Sequence, residues 1–136
     1  MALHLEIVTP RGSVVATDAE EVVLPGKLGE FGVLDGHIPF LSALRPGVIR
    51  YREGGAARRL AVGTGFAEVG AGDKVLVLTD EHAFPEDVDV DETSRELQGA
   101  EARIKEWSGE LNVAHQELLD EAEWAQARLE VKKGPK

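Results

Sequence analysis

The sequence predicts an α+β chain: an N-terminal antiparallel β-sandwich followed by a C-terminal antiparallel two-helix hairpin. Glycine and proline are concentrated early, with twelve of the 15 glycines and five of the 6 prolines at or before Pro85. Within that stretch, short apolar runs alternate with turn residues at intervals of about ten residues, the pattern of a sandwich or barrel. Beyond it the chain turns to Glu, Ala, Leu, Gln and Arg, residues that lose little on entering a helix. These observations divide the chain into a β head, residues 1–86, and a helical tail, residues 87–136.

Leu3-His4-Leu5-Glu6-Ile7-Val8 alternates apolar and polar side chains, as a strand with one buried face must. Thr9-Pro10-Arg11-Gly12 is turn chemistry, and Ser13–Thr17 is a second strand. Ala19–Leu24 is a third and leads into a segment, Pro25–Gly47, dense in glycine, proline and large apolar residues. That mixture predicts tight turns between very short buried strands, with Glu30 and Phe31 at the tip of a loop bracketed by Gly29 and Gly32. Gly47–Arg52 and Arg58–Val62 form a hairpin around Glu53-Gly54-Gly55. Gly63-Thr64-Gly65 reads as a bend within a strand that continues through Val69. It lacks the third glycine and following helix of a nucleotide fingerprint. Lys74–Thr79 is the last strand.

The tail opens on acidic residues from Glu86 to Glu92, suited to the positive end of a helix dipole, with Asp89 or Asp91 as N-cap. Leu97, Ala100 or Glu101, Ile104 and Trp107 recur at three- and four-residue steps and give one apolar stripe. Leu111, Ala114 or His115, Leu118, Ala122, Ala125 and Leu129 give a second, after a break at Ser108-Gly109, with Asn112 suited to start the second helix. A hairpin built on so much alanine buries little area and should be marginal alone, free to open or redock.

Composition excludes several classes of function. The formal charge of −10 repels nucleic acid and anionic lipid. There is no cysteine, hence no disulfide and no thiol chemistry. No run approaches the roughly 18 apolar residues of a membrane helix, and the first residues do not read as a signal peptide. Neither a nucleophile–base pair nor a metal-ligand spacing stands out, so no enzyme activity, cofactor or metal is expected.

Gly29-Glu30-Phe31-Gly32-Val33-Leu34-Asp35-Gly36-His37-Ile38-Pro39 resembles the signature of the epsilon-subunit family of F-type ATP synthases: Gly, acidic then apolar, Gly-Val-Leu, two turn residues, His-x-Pro. The glycine-rich bend before Phe66-Ala67-Glu68-Val69 and the helical tail are similar to that family's in the same order. The resemblance implies a non-catalytic rotor subunit at the cytoplasmic face of the bacterial inner membrane. Gly29, Glu30, Phe31 and Gly32 would dock on the membrane c-subunit ring, and Val33, His37 and Pro39 would meet the gamma shaft. The tail would switch between a folded state and an extended one that inserts among the catalytic alpha and beta subunits and blocks hydrolysis, its basic end (Arg128, Lys132, Lys133 and Lys136) meeting acidic groups there. Some members bind ATP through Ile/Leu-Asp-x-x-Arg-Ala at the start of the first helix. Here Asp89 is retained, but Glu92 replaces the arginine and Thr93 the alanine, which opposes phosphate binding. Arg95, Arg103 and Arg128 are the cations left to such a site. A free-standing nucleotide sensor and a β-sandwich adaptor for another assembly are the other classes that the sequence leaves open.

Overall fold

In the computed structural model, which describes residues 2–134, ten strands precede one 3₁₀ turn and two α-helices. The strands are β1 (Leu3–Thr9), β2 (Gly12–Ala19), β3 (Glu21–Gly26), β4 (Gly29–Val33), β5 (Phe40–Leu44), β6 (Gly47–Glu53), β7 (Ala56–Val62), β8 (Gly65–Gly70), β9 (Lys74–Thr79) and β10 (His82–Ala83). Hydrogen bonding runs in the order β10-β7-β6-β3-β5-β8-β9-β1-β2, with β4 added to β3. The continuity is thin at one point: β3 meets β5 through the single pair Gly26 and Leu44. There the sheet folds over into two layers, β10-β7-β6-β3-β4 and β5-β8-β9-β1-β2.

Alternation fills the space between the layers. Leu3, Leu5 and Ile7 of β1 are fully buried, and they meet Val22, Leu24, Ile49, Leu60, Val75 and Val77 in one core. One ladder departs from the expected pairing, since β1 and β9 run parallel from His4–Lys74 to Val8–Leu78. The first strand is inserted beside the last one of its layer, and a parallel neighbour is what that closure produces.

The β6–β7 hairpin turns at Gly54 and Gly55, both with positive φ, the geometry of a two-residue turn that suits strand twist. Gly63-Thr64-Gly65 is not a bend within a strand. It carries the chain from β7 in one layer to β8 in the other, and a Cβ on Gly65 would lie 1.9 Å from the Leu78 carbonyl oxygen.

Helix α1 (Val90–Lys105) starts at Asp89, whose carboxylate accepts from the Glu92 N–H at 3.0 Å. Helix α2 (Val113–Lys133) starts at Asn112, which accepts from His115 N–H at 3.1 Å. Leu111 therefore precedes α2, and it is exposed, outside the stripe expected for it. Arg128 and Arg103 cross-link the helices through Glu96 and Glu121. Ala125 lies between Glu121 and Arg128 on that face, as the expected stripe requires. The opposite side of α2 carries a second stripe, Trp124, Ala127 and Val131, packed with Val48, Ala61, Ala83 and Val88 on the head. Helix α2 is thus sandwiched between α1 and the outer face of β6–β7.

Candidate functional site

The glycine-rich signature forms a β-hairpin rather than an open loop. Gly29 through Val33 are strand β4, paired with β3 from Gly26–Gly29 to Val22–Val33, so the tip is Lys27-Leu28. Leu28 is wholly exposed. Glu30 and Phe31 accordingly do not sit at a loop tip. Glu30 is opposite Pro25 and its carboxylate meets Arg50 at 3.1 Å. Phe31 is half-buried against the core, edge-on to Phe40 with ring centroids 5.3 Å apart. The period of two explains the correction: once Leu24 and Val22 face inward, their partners Phe31 and Val33 must do so too.

The three shaft-contact candidates separate. Val33 is 0% exposed in the core, so it offers no surface to a partner. His37 and Pro39 are exposed in the connection from β4 to β5. A ring nitrogen of His37 lies 2.9 Å from the Ile38 carbonyl, and its ring is 5.0 Å from that of Phe40. Leu34 and Ile38 flank it, also exposed.

A surface that was not singled out from the sequence lies on the outer side of β5-β8-β9-β1. Register places Ala43 beside Phe66, Phe66 beside Leu78, and Leu78 beside Val8, an apolar row across four strands. The adjacent row is Leu41, Glu68, Leu76 and Glu6. Leu41, Phe66 and Leu78 are 68%, 55% and 49% exposed, too much for a face that ends in solvent by accident. The signal was present in the sequence: Lys74–Thr79 has apolar residues on both alternating faces, as a strand covered on both sides does.

The tail candidates have distinct settings. Arg128 is mostly buried: its guanidinium lies 5.1 Å from the Trp124 ring centroid and its charge is paired with Glu96 of α1. Lys132 and Lys133 are exposed in the last turn of α2, while Lys136 lies outside the described residues. The nucleotide candidates do not converge on one pocket. Asp89 caps α1, Arg95 is exposed, Arg103 is held by Glu121 at 2.7 Å, and Arg128 by Glu96. Among the described residues, no group of three or more His, Asp or Glu is arranged to hold a metal ion, and no helix is long and apolar enough to cross a membrane.

Among the clefts where α2 meets the head, two differ in charge. One of about 400 Å³ has Asp80, Glu81, Glu117, Asp120 and Glu121 in its wall, five acidic residues beside Thr64 and Trp124. Glu81 there is pushed above its ordinary value by desolvation, then by the neighbouring Asp80 charge. The other, of about 700 Å³, is mixed in charge, with Arg58, Arg59 and Lys132 against Glu53 and Glu86 around Tyr51 and Phe84. Burial raises the Tyr51 hydroxyl, and Glu53 adds to the shift.

Comparison with known proteins agrees on one family. A profile described as "ATP synthase, Delta/Epsilon chain, beta-sandwich domain" matches residues 2–85. The ATP synthase epsilon chain of Anaeromyxobacter sp. (strain K) is 40% identical over 131 residues, 96% of this chain and 98% of that one. The epsilon chain of Desulfosudis oleivorans is 44% identical over 104 residues, 76% of this chain and 77% of the relative. Among solved structures, a chain of the Euglena gracilis mitochondrial ATP synthase (OSCP/F1/c-ring) superposes with TM-score 0.79 at 22% identity, covering 95% of this chain and 79% of that one. A chain of the Tetrahymena thermophila mitochondrial ATP synthase central stalk and c-ring gives 0.62 at 10%, covering 97% of each. At those identities the structural likeness speaks for the fold.

Proposed function

The chain belongs to the ATP synthase epsilon-chain family, and from that membership we propose that it is a non-catalytic central-stalk subunit that joins the gamma shaft to the c-subunit ring. The observation that carries this reading is the apolar row Ala43, Phe66, Leu78 and Val8 on the outer side of the sandwich. A permanent subunit interface is more apolar than a transient one, and among the described residues this face stays largely uncovered, with α2 approaching only its Ala43–Phe66 end. Gamma is its occupant, with His37, Ile38 and Pro39 at the rim. The Lys27-Leu28 turn and Glu30 face the ring, in place of the Glu30–Phe31 tip expected from sequence. The subunit is peripheral, held at the cytoplasmic side of a bacterial inner membrane by its partners. Ring rotation then turns the shaft inside the alpha and beta subunits, with no bond made or broken by this chain.

The tail is folded here, and its extended form is the brake on ATP hydrolysis. The small alanine-rich seam beneath α2 supports that switch, because little apolar area opposes release. Arg128, sequestered against Trp124 and Glu96 in the folded hairpin, becomes available to the catalytic subunits only when the hairpin opens. Lys132 and Lys133 extend the same basic end. The folded hairpin is a poor nucleotide site, since Asp89, Arg103 and Arg128 are each committed to different partners.

The test is ATP hydrolysis by the reconstituted catalytic complex, with the full chain and with a version ending at Asp87. Truncation should raise hydrolysis while proton-driven synthesis survives. Unchanged hydrolysis would remove the brake from this reading, and loss of gamma binding on truncation would remove the division between head and tail.

A further inference from the structure

We propose that the last turn of α2 is the latch of the folded tail and that the paired arginines Arg50 and Arg59 of the head are its keeper. Arg50 and Arg59 stand directly opposite each other on β6 and β7, on the outer face that α2 covers. Two like charges at opposed positions of an antiparallel pair disfavour the sheet unless something anionic lies between or above them. The last turn of α2 supplies it. Arg50 reaches the Glu130 carboxylate at 3.2 Å, and the Arg59 Nε–H donates to the Val131 carbonyl oxygen at 2.7 Å. That carbonyl belongs to the helix end, where peptide oxygens lack intrahelical donors and the dipole is negative. A guanidinium there answers both deficits at once. Val131 itself is fully buried in the seam with Val48, Ala61, Ala83 and Val88, so the polar grip and the apolar contact coincide on one residue.

The rest of the seam offers much less. Towards the middle of α2, Glu117, Asp120 and Glu121 share a cleft with Asp80 and Glu81 of the head, like charge against like, although Glu121 is also held by Arg103 of α1. Arg45 meets Glu123 only at 3.5 Å and its own side chain is 53% exposed, against 30% for Arg50, and such exposed cations contribute little. Attraction is therefore concentrated at one end and repulsion lies along the middle, so release of the last turn frees the helix. Arg50 also holds Glu30 on the ring-facing hairpin at 3.1 Å. One guanidinium thus links the surface assigned to the ring with the end of the tail.

This inference deepens the switch reading, and its test is independent of whether an open tail brakes hydrolysis. Hydrogen–deuterium exchange on the full chain reads the opening of α2 against that of the core strand β9. Arg59→Gln should speed exchange of α2 amides by about tenfold, since a hydrogen bond to a charged group is lost. Glu130→Gln, made from the tail side and harmless to the head fold, should speed them by about threefold. In both, β9 amides should keep the wild-type rate, and Arg45→Gln should behave as wild type throughout. The latch is overturned if α2 exchange is unchanged in Arg59→Gln or in Glu130→Gln. It is overturned equally if β9 accelerates in parallel, or if Arg45→Gln opens α2 as much as Arg59→Gln.

Discussion

The core between the two sheet layers and the seam under α2 both hold an apolar cluster, yet they are built from different side chains. The core uses Leu3, Leu5, Ile7, Leu24, Ile49 and Leu60, each fully buried. The seam uses Ala61, Ala83 and Ala127 with three valines and the edge of Trp124. At about 25 cal/mol per Å² the large aliphatics of the core contribute most of the driving force, and the alanines of the seam contribute little. Stability need not be uniform within one chain, and here it is graded by side-chain size. The head is built to persist and the hairpin to let go.

A core truncation should break the head and the tail together. Leu60→Ala should cost about 3 kcal/mol, with sheet and helix signals lost in one urea transition at a lower midpoint. Selective loss of helix in that variant would reverse the comparison. Val131→Ala, the corresponding change in the seam, should cost about 2 kcal/mol of docking and raise α2 amide exchange about 30-fold. The β9 amides should not follow, because nothing in the core touches that side chain. On the opposite outer face the same logic separates stability from binding. Phe66→Ala should leave the unfolding free energy within about 0.5 kcal/mol of wild type, yet weaken gamma binding in a titration by about tenfold. A stability loss with intact binding would show that Phe66 serves the sheet alone.

Much of this was legible in the sequence because periodicity and turn chemistry are local. The strands from Leu3 and from Lys74, the Gly54-Gly55 turn and the caps Asp89 and Asn112 all follow from neighbours along the chain. What escaped depends on pairing across it. The location of Glu30 and Phe31 turned on whether Gly29 opens a loop or a strand, and only the register with Leu24 and Pro25 decides that. Val33 is expected at the shaft contact from the family resemblance, but its partner Val22 places it inward. Helix α2 hid its second apolar stripe because two stripes on opposite sides cancel any one-sided pattern. The Arg50–Arg59 pair is visible only after β6 and β7 are aligned.

The smallest expected effect concerns Glu81, where the seam is least favourable. Its backbone is fixed: the Glu81 carbonyl accepts from Gly63 N–H at 3.0 Å and from the Thr79 hydroxyl at 3.1 Å. Its carboxyl is thereby held beside Asp80 and facing the acidic residues of α2. Desolvation and Asp80 raise its folded pKa above the ordinary 4.5, with Arg128 opposing. A carboxyl whose folded pKa is raised gives its full contribution to stability below the unfolded value, and that contribution is lost as pH rises through the folded one. Ionised Glu81 therefore works against the folded state at neutral pH. Replacing it by glutamine should raise Tm by about a degree at pH 7, and the gain should shrink as pH falls towards 4.5, where wild-type Glu81 takes up its proton. Thermal scans of both proteins at the two pH values decide the matter. A mutant less stable than wild type at pH 7 would mean that attraction to Arg128 outweighs the repulsion, and the middle of the seam would then hold α2 rather than loosen it.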